Sequence, residues 1–467
     1  MNDKTTDTKL IGWAAVLVLP PIFYAFAHNQ AMSLQGSLFV AIMAAVVLLW
    51  LFNLVDHYIP ALVGMFASLF FGLAPPSVAL SGMASPSLLT LMGVFALATV
   101  IAESGLSRRL VLYLLLKLPN RFFWQQNILV FCGLLLSLVS PSGNSRMALM
   151  LPLCQEVSGA LRLKKNGLTS TSLMVSTYGG SMLFSTALSN SKSASIVALS
   201  MLPLYLQHQY LGLFWFQAAC LPIIVLLVIH MMSVKLMFPS ESHHKINKET
   251  IRTQLQALGR LTRREKIATF SFLFFFIGSI TSELHYVNIS SIAGMTLVLL
   301  LIVGAFDKTG FQKSIDWPMI FFLLGMDSMM RTMNHLGLDE QLSTSVENLY
   351  AFVDGSFLLF TLAALLTTIV MRLAFPVAAG MILSFIILMP VTLAQGYSPW
   401  ICVFLTAIFS DIWFFRYQNS VYLIAWNSSA VLDYNHAWFM RHNMIMNVAR
   451  VLCVLAAIPV WHWMALI

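Results

Sequence analysis

The chain is 467 residues long, with 59% of them hydrophobic and only 9% charged. Soluble domains carry charge on about a quarter of their residues, so this composition excludes a soluble enzyme or a nucleic-acid-binding module and points to an all-α polytopic membrane protein. The formal net charge of +8 is spread over short loops, where lysine and arginine report orientation in a membrane rather than a nucleic-acid partner.

In chain order, apolar runs fall at about 11–29, 35–55, 59–74, 86–104, 127–161, 171–205, 213–237, 267–284, 288–305, 318–336, 355–395, 399–426 and 444–467. The first begins behind MNDKTTDTKL, which carries Asp3 and Asp7, and no small-residue cleavage site follows it. It therefore reads as a retained span with a cytoplasmic N-terminus. One crossing needs about 20 residues, so three of the runs are too long. Residues 127–161 and 355–395 fit re-entrant hairpins that enter and return on one side, and 171–205 fits a span broken near 185–192. The expected architecture is about 11 transmembrane helices plus the two hairpins. The five cysteines, Cys132, Cys154, Cys220, Cys402 and Cys453, lie in apolar runs without ligand spacing, so neither a disulfide framework nor a zinc site is indicated.

An internal repeat organises these runs. Gly93, Gly105, Leu106 and Leu110 match Gly325, Gly337, Leu338 and Leu342 at a constant offset of 232, which Gly72 and Gly304 share. The loop after Gly105 holds Arg108, Arg109, Lys117 and Arg121 without an acid, whereas that after Gly337 holds Asp339, Glu340, Glu347 and Asp354 without a base. Equivalent loops thus fall on opposite sides of the membrane, which defines an inverted-topology repeat. The expected organisation is an N-terminal segment and first span (1–34), a first repeat (35–238), a cytoplasmic linker (239–266) rich in bases from Lys245 to Lys266, and a second repeat (267–467). Counting through, the first hairpin opens from the cytoplasm, the second from the periplasm, and the C-terminus is periplasmic. Nothing remains to house a separate enzyme.

Polar groups interrupt the apolar runs at four places. The first hairpin carries SLVSPSGNSRMALMLP (137–152), with Ser142, Asn144, Ser145 and Arg146 at its tip, and the second carries Arg372 followed by Pro376. The broken spans carry YGGSMLFSTALSNSKSAS (178–195) and SDIWFFRYQNSVY (410–422). Unwound backbone at membrane depth is tolerated where it faces protein or a watery cavity, and secondary carriers build midplane sites from such breaks. Arg146, Arg372 and Arg416 are costly at depth, by roughly 2.5–3.5 kcal/mol each, and need an anionic substrate, a protein acid or an interface to snorkel to. Asp411 lies five positions before Arg416 and Asp327 four before Arg331, so internal pairing is open to both. Serine and asparagine oxygens suit a hard cation such as sodium, the candidates being Ser189, Asn190 and Gly180 in one half and Gln418, Asn419 and Ser420 in the other. Helix capping is the alternative role of these residues. Asp411 is a further sodium ligand or a proton carrier. Asp327 and His230 read as structural.

With these residues in view, the chain from about Gln35 onward resembles the divalent anion:sodium symporters, a group of ion transporters that includes dicarboxylate and citrate carriers. The likeness is best in LTLMGVFALATVIAESGL from Leu89, in DWPMIFFLLG from Asp316 and in the hairpin ending at Leu151-Pro152. The family carries Ser-Asn-Thr in each hairpin and Thr-Pro-Pro-Asn at each following break, binding sodium and substrate carboxylate. On that resemblance Ser142, Asn144 and Ser145 stand at the first Ser-Asn-Thr, and Asn190 and Asn419 at the two break asparagines. Residues 372–376 depart from the pattern. The resemblance implies sodium-coupled uptake of di- or tricarboxylates across the inner membrane by alternating access. It also implies Ser142 and Asn144 as shared sodium ligands, no cofactor beyond the coupling ion, and a homodimer formed through scaffold helices at 35–86 and 267–317. Sulfate as substrate, proton coupling and exchange are the variant readings. A channel and an aspartyl protease are the rivals, though the protease's Gly-x-Gly-Asp is absent.

Overall fold

The computed structural model describes residues 3–29, 32–52, 54–56, 58–117, 119, 122–138, 140–161, 167–238, 248–281, 285, 287–338, 353, 355–427 and 434–467. Among the described residues the ordered elements are helices, with no strand. A bilayer offers no water to the backbone, and a helix is how an open chain pairs its own N–H and C=O groups there. The N-terminal run forms α1 (Asp3–Asn29). The first half continues with α2 (Leu34–Leu51), α3 (Tyr58–Phe70), α4 (Pro86–Ser104), α5 (Leu106–Lys117), α6 (Phe122–Ser137), α7 (Gly143–Leu161), α8 (Leu168–Met182), α9 (Ser193–Ser200) and α10 (Leu213–Met237). After a connecting helix, Lys248–Ala257, the second half holds α11 (Arg263–Ile280), α12 (Ile289–Ile302), α13 (Trp317–His335), α14 (Phe357–Ala374), α15 (Val377–Ala394), α16 (Pro399–Phe409), α17 (Ser420–Asn427) and α18 (His436–Trp463). Seven of these described helices, α1, α2, α4, α10, α14, α15 and α18, are long and apolar enough to cross a membrane, and α3, α12, α16 and most of α6 are shorter apolar helices. The protein is a polytopic helical membrane protein.

Local chemistry sets where the helices begin. The side chains of Ser33, Ser85, Asn288, Asp316 and Asn435 each accept a bond from an N–H in the first turn of the helix that follows. Proline sits in the first turn of α4 and of α13, where its missing N–H leaves no bond unmade. These two prolines, Pro86 and Pro318, stand at the same offset of 232 as the glycines.

That offset also governs packing. A Cβ on Gly93 of α4 would lie 2.2 Å from the carbonyl oxygen of Ala293 in α12, and one on Gly325 of α13 would lie 3.0 Å from the backbone of Ala61 in α3. Ala61 and Ala293 are themselves 232 apart. Each half therefore lends its α4-type helix to the other half's α3-type helix, and the two close approaches are the same contact made twice. Gly72, Gly105, Gly304 and Gly337 all take positive φ, from 64° to 80°, just past helix ends. This is the left-handed terminus that glycine adopts without strain.

Both suspected hairpins are interrupted where the sequence breaks. Residues 138–142 separate α6 from α7, and Phe375-Pro376 separates α14 from α15. The second tip lies level with Ser410, midway along the run 399–426, because Arg372 donates to the Ser410 carbonyl at 2.9 Å. The run 171–205 unwinds between Met182 and Ser193, as its serine and asparagine content implies, and 399–426 unwinds between Phe409 and Ser420 apart from one short turn. The charged positions Arg121, Lys245, Asp339, Glu340, Glu347 and Asp354, together with Leu342, lie outside the described residues.

The close approach of α4 and α12 gives a direct test. Replacing Gly93 by Ala drives a methyl group into a backbone oxygen, whereas a Cβ at Gly294 meets nothing nearer than 3.7 Å. Gly93→Ala is expected to cost about 3 kcal/mol or more and to abolish the monodisperse peak on size exclusion in detergent. Gly294→Ala should keep that peak.

Candidate functional site

The two tips meet the two breaks through their arginines. Arg146, the fourth residue of α7, is 1% exposed. Its Nε donates to the Ser181 carbonyl at 2.7 Å and its Nη1 to the carbonyls of Ser140 and Ser191 at 2.6 and 2.7 Å. Arg372, near the end of α14, is 2% exposed and donates to the carbonyls of Ser410, Phe375 and Gln418. Unwinding a helix at depth frees carbonyls that nothing else can reach, and a guanidinium with five fixed donors gathers several of them at once. These bonds satisfy the carbonyls that unwinding frees. The arginines occupy opposite arms of their hairpins, so their common task is not a register match.

Further bonds lock tip to break. The Ser193 N–H donates to the Pro141 carbonyl at 3.1 Å and Ser191 Oγ to the Ser137 carbonyl at 2.9 Å. Gln418 is wholly engaged in its turn, since its Oε1 accepts from the N–H groups of Phe414 and Phe415 and its Nε2 donates to the Arg372 carbonyl. Asn419 caps α17 by accepting from the Tyr422 N–H at 2.9 Å and donates to the Tyr178 hydroxyl at 2.7 Å.

The breaks also meet each other. Lys192 Nζ donates at 2.7 Å to the Ala407 carbonyl, to Ser410 Oγ and to Asp411 Oδ1, while Ser185 Oγ donates to Asp411 Oδ2. The partner of Asp411 is therefore Lys192 and not Arg416. Unwinding at 410–419 removes the helical spacing that pairing with Arg416 needs, and Arg416 is exposed, donating to His436 Nε2 at 3.1 Å and lying 4.1 Å above the Trp426 ring. Asp327 does pair with Arg331, at 3.1 Å.

Around the Lys192–Asp411 pair the protein concentrates cations. Arg146 and Arg450 act electrostatically on Asp411, and Arg372 and Arg450 on Lys192. Among the described residues at this junction, four buried cations, Arg146, Lys192, Arg372 and Arg450, gather around one buried carboxylate, Asp411. Sequence reading passed over Lys192, Arg450 and Tyr178. The signal for the first two was present, because an ionisable residue inside an apolar run marks a functional position by default.

The remaining candidates divide between two cavities. A large one, of about 780 Å³, lies between the second tip (Arg372 to Ala379), the second break (Gln418, Ser420, Leu423), Asn144 of the first tip, and a wall formed by Trp50, Tyr58 and Phe322. Exposed Asp56 and Asp316 mark the end at which it reaches the surface. Inside it Ser420 Oγ donates to Asn144 Oδ1 at 2.9 Å. Ser142 and Ser145 stay on the tip, where the Ser145 N–H turns toward Ser142 Oγ at 3.4 Å. A smaller cavity of about 40 Å³ at the N-terminal end of α4 is lined by Ser189 and Asn190 together with Ser87, Thr90, Gln207 and Ser290. Gly180 belongs to neither, for a Cβ there would lie 2.4 Å from the Leu129 carbonyl, and it serves the packing of α8 on α6. His230 is buried beside His442, ring centroids 5.0 Å apart, with no hydrogen-bond partner for either ring nitrogen among the described residues.

Two hairpin tips facing two broken spans, with a cationic junction and a hollow of about 780 Å³, are the parts of a membrane transporter. A profile of the CitMHS family of citrate transporters matches residues 47–409, and the chain belongs to that family. It is 26% identical over 283 residues to the inner membrane protein YbhI of Escherichia coli (strain K12), covering 59% of each chain. It is 23% identical over 339 residues to a membrane protein of Cupriavidus necator, covering 67% of this chain and 65% of that one. A third similar protein, an uncharacterised transporter of Haemophilus influenzae, is 22% identical over 305 residues, 63% of each chain. The chain thus spans somewhat under two thirds of the length of these relatives. By its description the family comprises transporters and not enzymes.

The contrast between the arginines is measurable. Removing the guanidinium of Arg372 strands buried carbonyls, at about 1–3 kcal/mol for each one left unpaired. Arg416 is exposed and should matter by less than about 1 kcal/mol. Thermal unfolding in detergent should therefore show a much lower midpoint for Arg372→Gln than for Arg416→Gln.

Proposed function

We propose that the protein is a secondary carrier of small polycarboxylate anions, di- and tricarboxylates of the citrate type, working by alternating access. The observation that carries this reading is the 780 Å³ cavity with Arg372 in its wall, one of four buried cations gathered around a single described carboxylate. Buried charge in a membrane is retained where it has work to do, and the complement of a cluster rich in cations is a multiply charged anion. The cavity volume falls within the range of about 300–1,000 Å³ usual for small-molecule sites. Arg372, Asn144 and Ser420 line it and are the substrate contacts in this reading, with Ser142, Ser145 and Arg146 shaping the first tip. Asn190 and Asn419 hold the two breaks. Arg416, exposed beside Trp426, is the least supported of the substrate contacts.

The positive-inside rule puts the basic stretch beyond Gly105 in the cytoplasm. On that assignment Asp56 and Asp316 are cytoplasmic and the large cavity opens inward, while the small Asn190 pocket is the closed outer side. The carrier would sit in the inner membrane with a cytoplasmic N-terminus and a periplasmic C-terminus. The resemblance to the divalent anion:sodium symporters adds sodium as coupling ion and pairing of two copies through the scaffold. Ser189 and Asn190, with Ser87, Thr90 and Ser290 around them, are the proposed ligands that keep oxygens facing open volume. Inorganic sulfate is the second reading, since the same cationic junction would attract it.

Reconstituted protein should take up radiolabelled citrate saturably. Asn144→Ala removes an exposed side chain that accepts a bond from Ser420, so folding should be kept, with a melting midpoint within about 2 °C of wild type. Its KM should rise about tenfold, equivalent to roughly 1.4 kcal/mol of lost contact. Unchanged KM would remove Asn144 from the site, and unitary conductance in place of saturation would make the protein a channel.

A further inference from the structure

The surroundings of Lys192 Nζ are those of a bound metal cation. Three oxygens stand 2.7 Å from it: the Ala407 carbonyl at the end of α16, the Ser410 hydroxyl and the Asp411 carboxylate. The other carboxylate oxygen is held by the Ser185 hydroxyl from the facing break. A helix C-terminal carbonyl, a hydroxyl and a carboxylate, gathered where two broken spans cross, are all-oxygen donors of the kind that suits sodium. The ammonium arrives from residue 192, at the far end of the first break, and its side chain is buried with Asp411.

We infer that Lys192 is a tethered cation, which permanently fills the position beside Asp411 that a mobile coupling ion would take and so excludes sodium from it. This deepens the carrier reading and rests on it. Coupling through the second break is removed, because a covalently attached charge travels with the protein in both directions and is never released. Such a lysine keeps the two breaks joined in the absence of any ion, and it keeps a positive charge beside the substrate in every state of the cycle. A cation requirement is then confined to the first break, at Ser189 and Asn190. Asp411, unlike a free sodium ligand, has neither carboxylate oxygen open.

The test reads stability and so is independent of uptake. Purified Lys192→Ala, Lys192→Ala/Asp411→Asn and wild-type protein are unfolded thermally in sodium chloride and in choline chloride at equal ionic strength. Removing the side chain opens a hole beside a buried carboxylate, and choline is too large to enter it. The inference expects sodium to raise the midpoint of Lys192→Ala by at least about 3 °C more than that of wild type. The double variant, lacking the carboxylate, should lose that excess. Should Lys192→Ala be recoverable only when purified in sodium, the inference is likewise supported. Equal sodium shifts in Lys192→Ala and wild type, an excess that survives in the double variant, or failure of Lys192→Ala to fold in either salt overturns it. Citrate uptake by wild type is untouched by any of these outcomes, so the carrier reading stands or falls separately.

Discussion

A backbone carbonyl without a partner inside a bilayer is penalised by several kcal/mol, and this chain unwinds twice at membrane depth. The rest of the arrangement answers that constraint. Arg146 collects carbonyls from Ser140, Ser181 and Ser191, and Arg372 collects them from Phe375, Ser410 and Gln418. Each hairpin is needed because it delivers a guanidinium to the break that follows it. The outcome is a junction rich in cations in an apolar protein, held together at its centre by Lys192 and Asp411.

A junction of this kind has two uses at once. It binds the two halves, since Lys192 belongs to the first break and Asp411 to the second, and a buried pair of this sort is destabilising by about 3–5 kcal/mol when one partner is removed. It also sets one of its cations, Arg372, in the wall of a hollow lined by the second tip, the second break and Asn144. The wall opposite, from Trp50 to Tyr58 and from Asp316 to Phe322, is built by α2, α3 and α13, of which α3 and α13 share the Gly325–Ala61 contact. On the proposed carrier reading, which needs one body that holds the cargo and one that stays fixed, the cavity would lie where the two meet.

Much of this was legible in the sequence, for definable reasons. Apolar runs become helices because the bilayer permits little else, so Pro86–Ser104 and Leu213–Met237 begin and end where their runs do. Glycines recurring at 232 are legible because each is required by backbone geometry, positive φ at Gly105 and Gly337 and close approach at Gly93 and Gly325. The breaks announce themselves by proline, serine and asparagine. Partnership was not legible. Lys192 and Asp411 are 219 residues apart, and nothing local distinguishes an arginine that grips carbonyls from one that awaits an anion. The serines and asparagines read as cation ligands divide in the fold, Asn419 and Gln418 serving as caps and turn braces while Ser189 and Asn190 face open volume. Gly180 looked like part of a site and is a packing contact, since the absence of a side chain serves either purpose.

If the cluster of buried cations is what recruits the cargo, affinity must follow the charge of the anion. Calorimetric titration of the purified protein at one ionic strength with citrate, succinate and acetate, carrying three, two and one carboxylates, measures this directly. The account predicts dissociation constants that tighten in the order acetate, succinate, citrate, with the neutral trimethyl ester of citrate not binding. Equal affinity across the series, or binding of the ester, would contradict it.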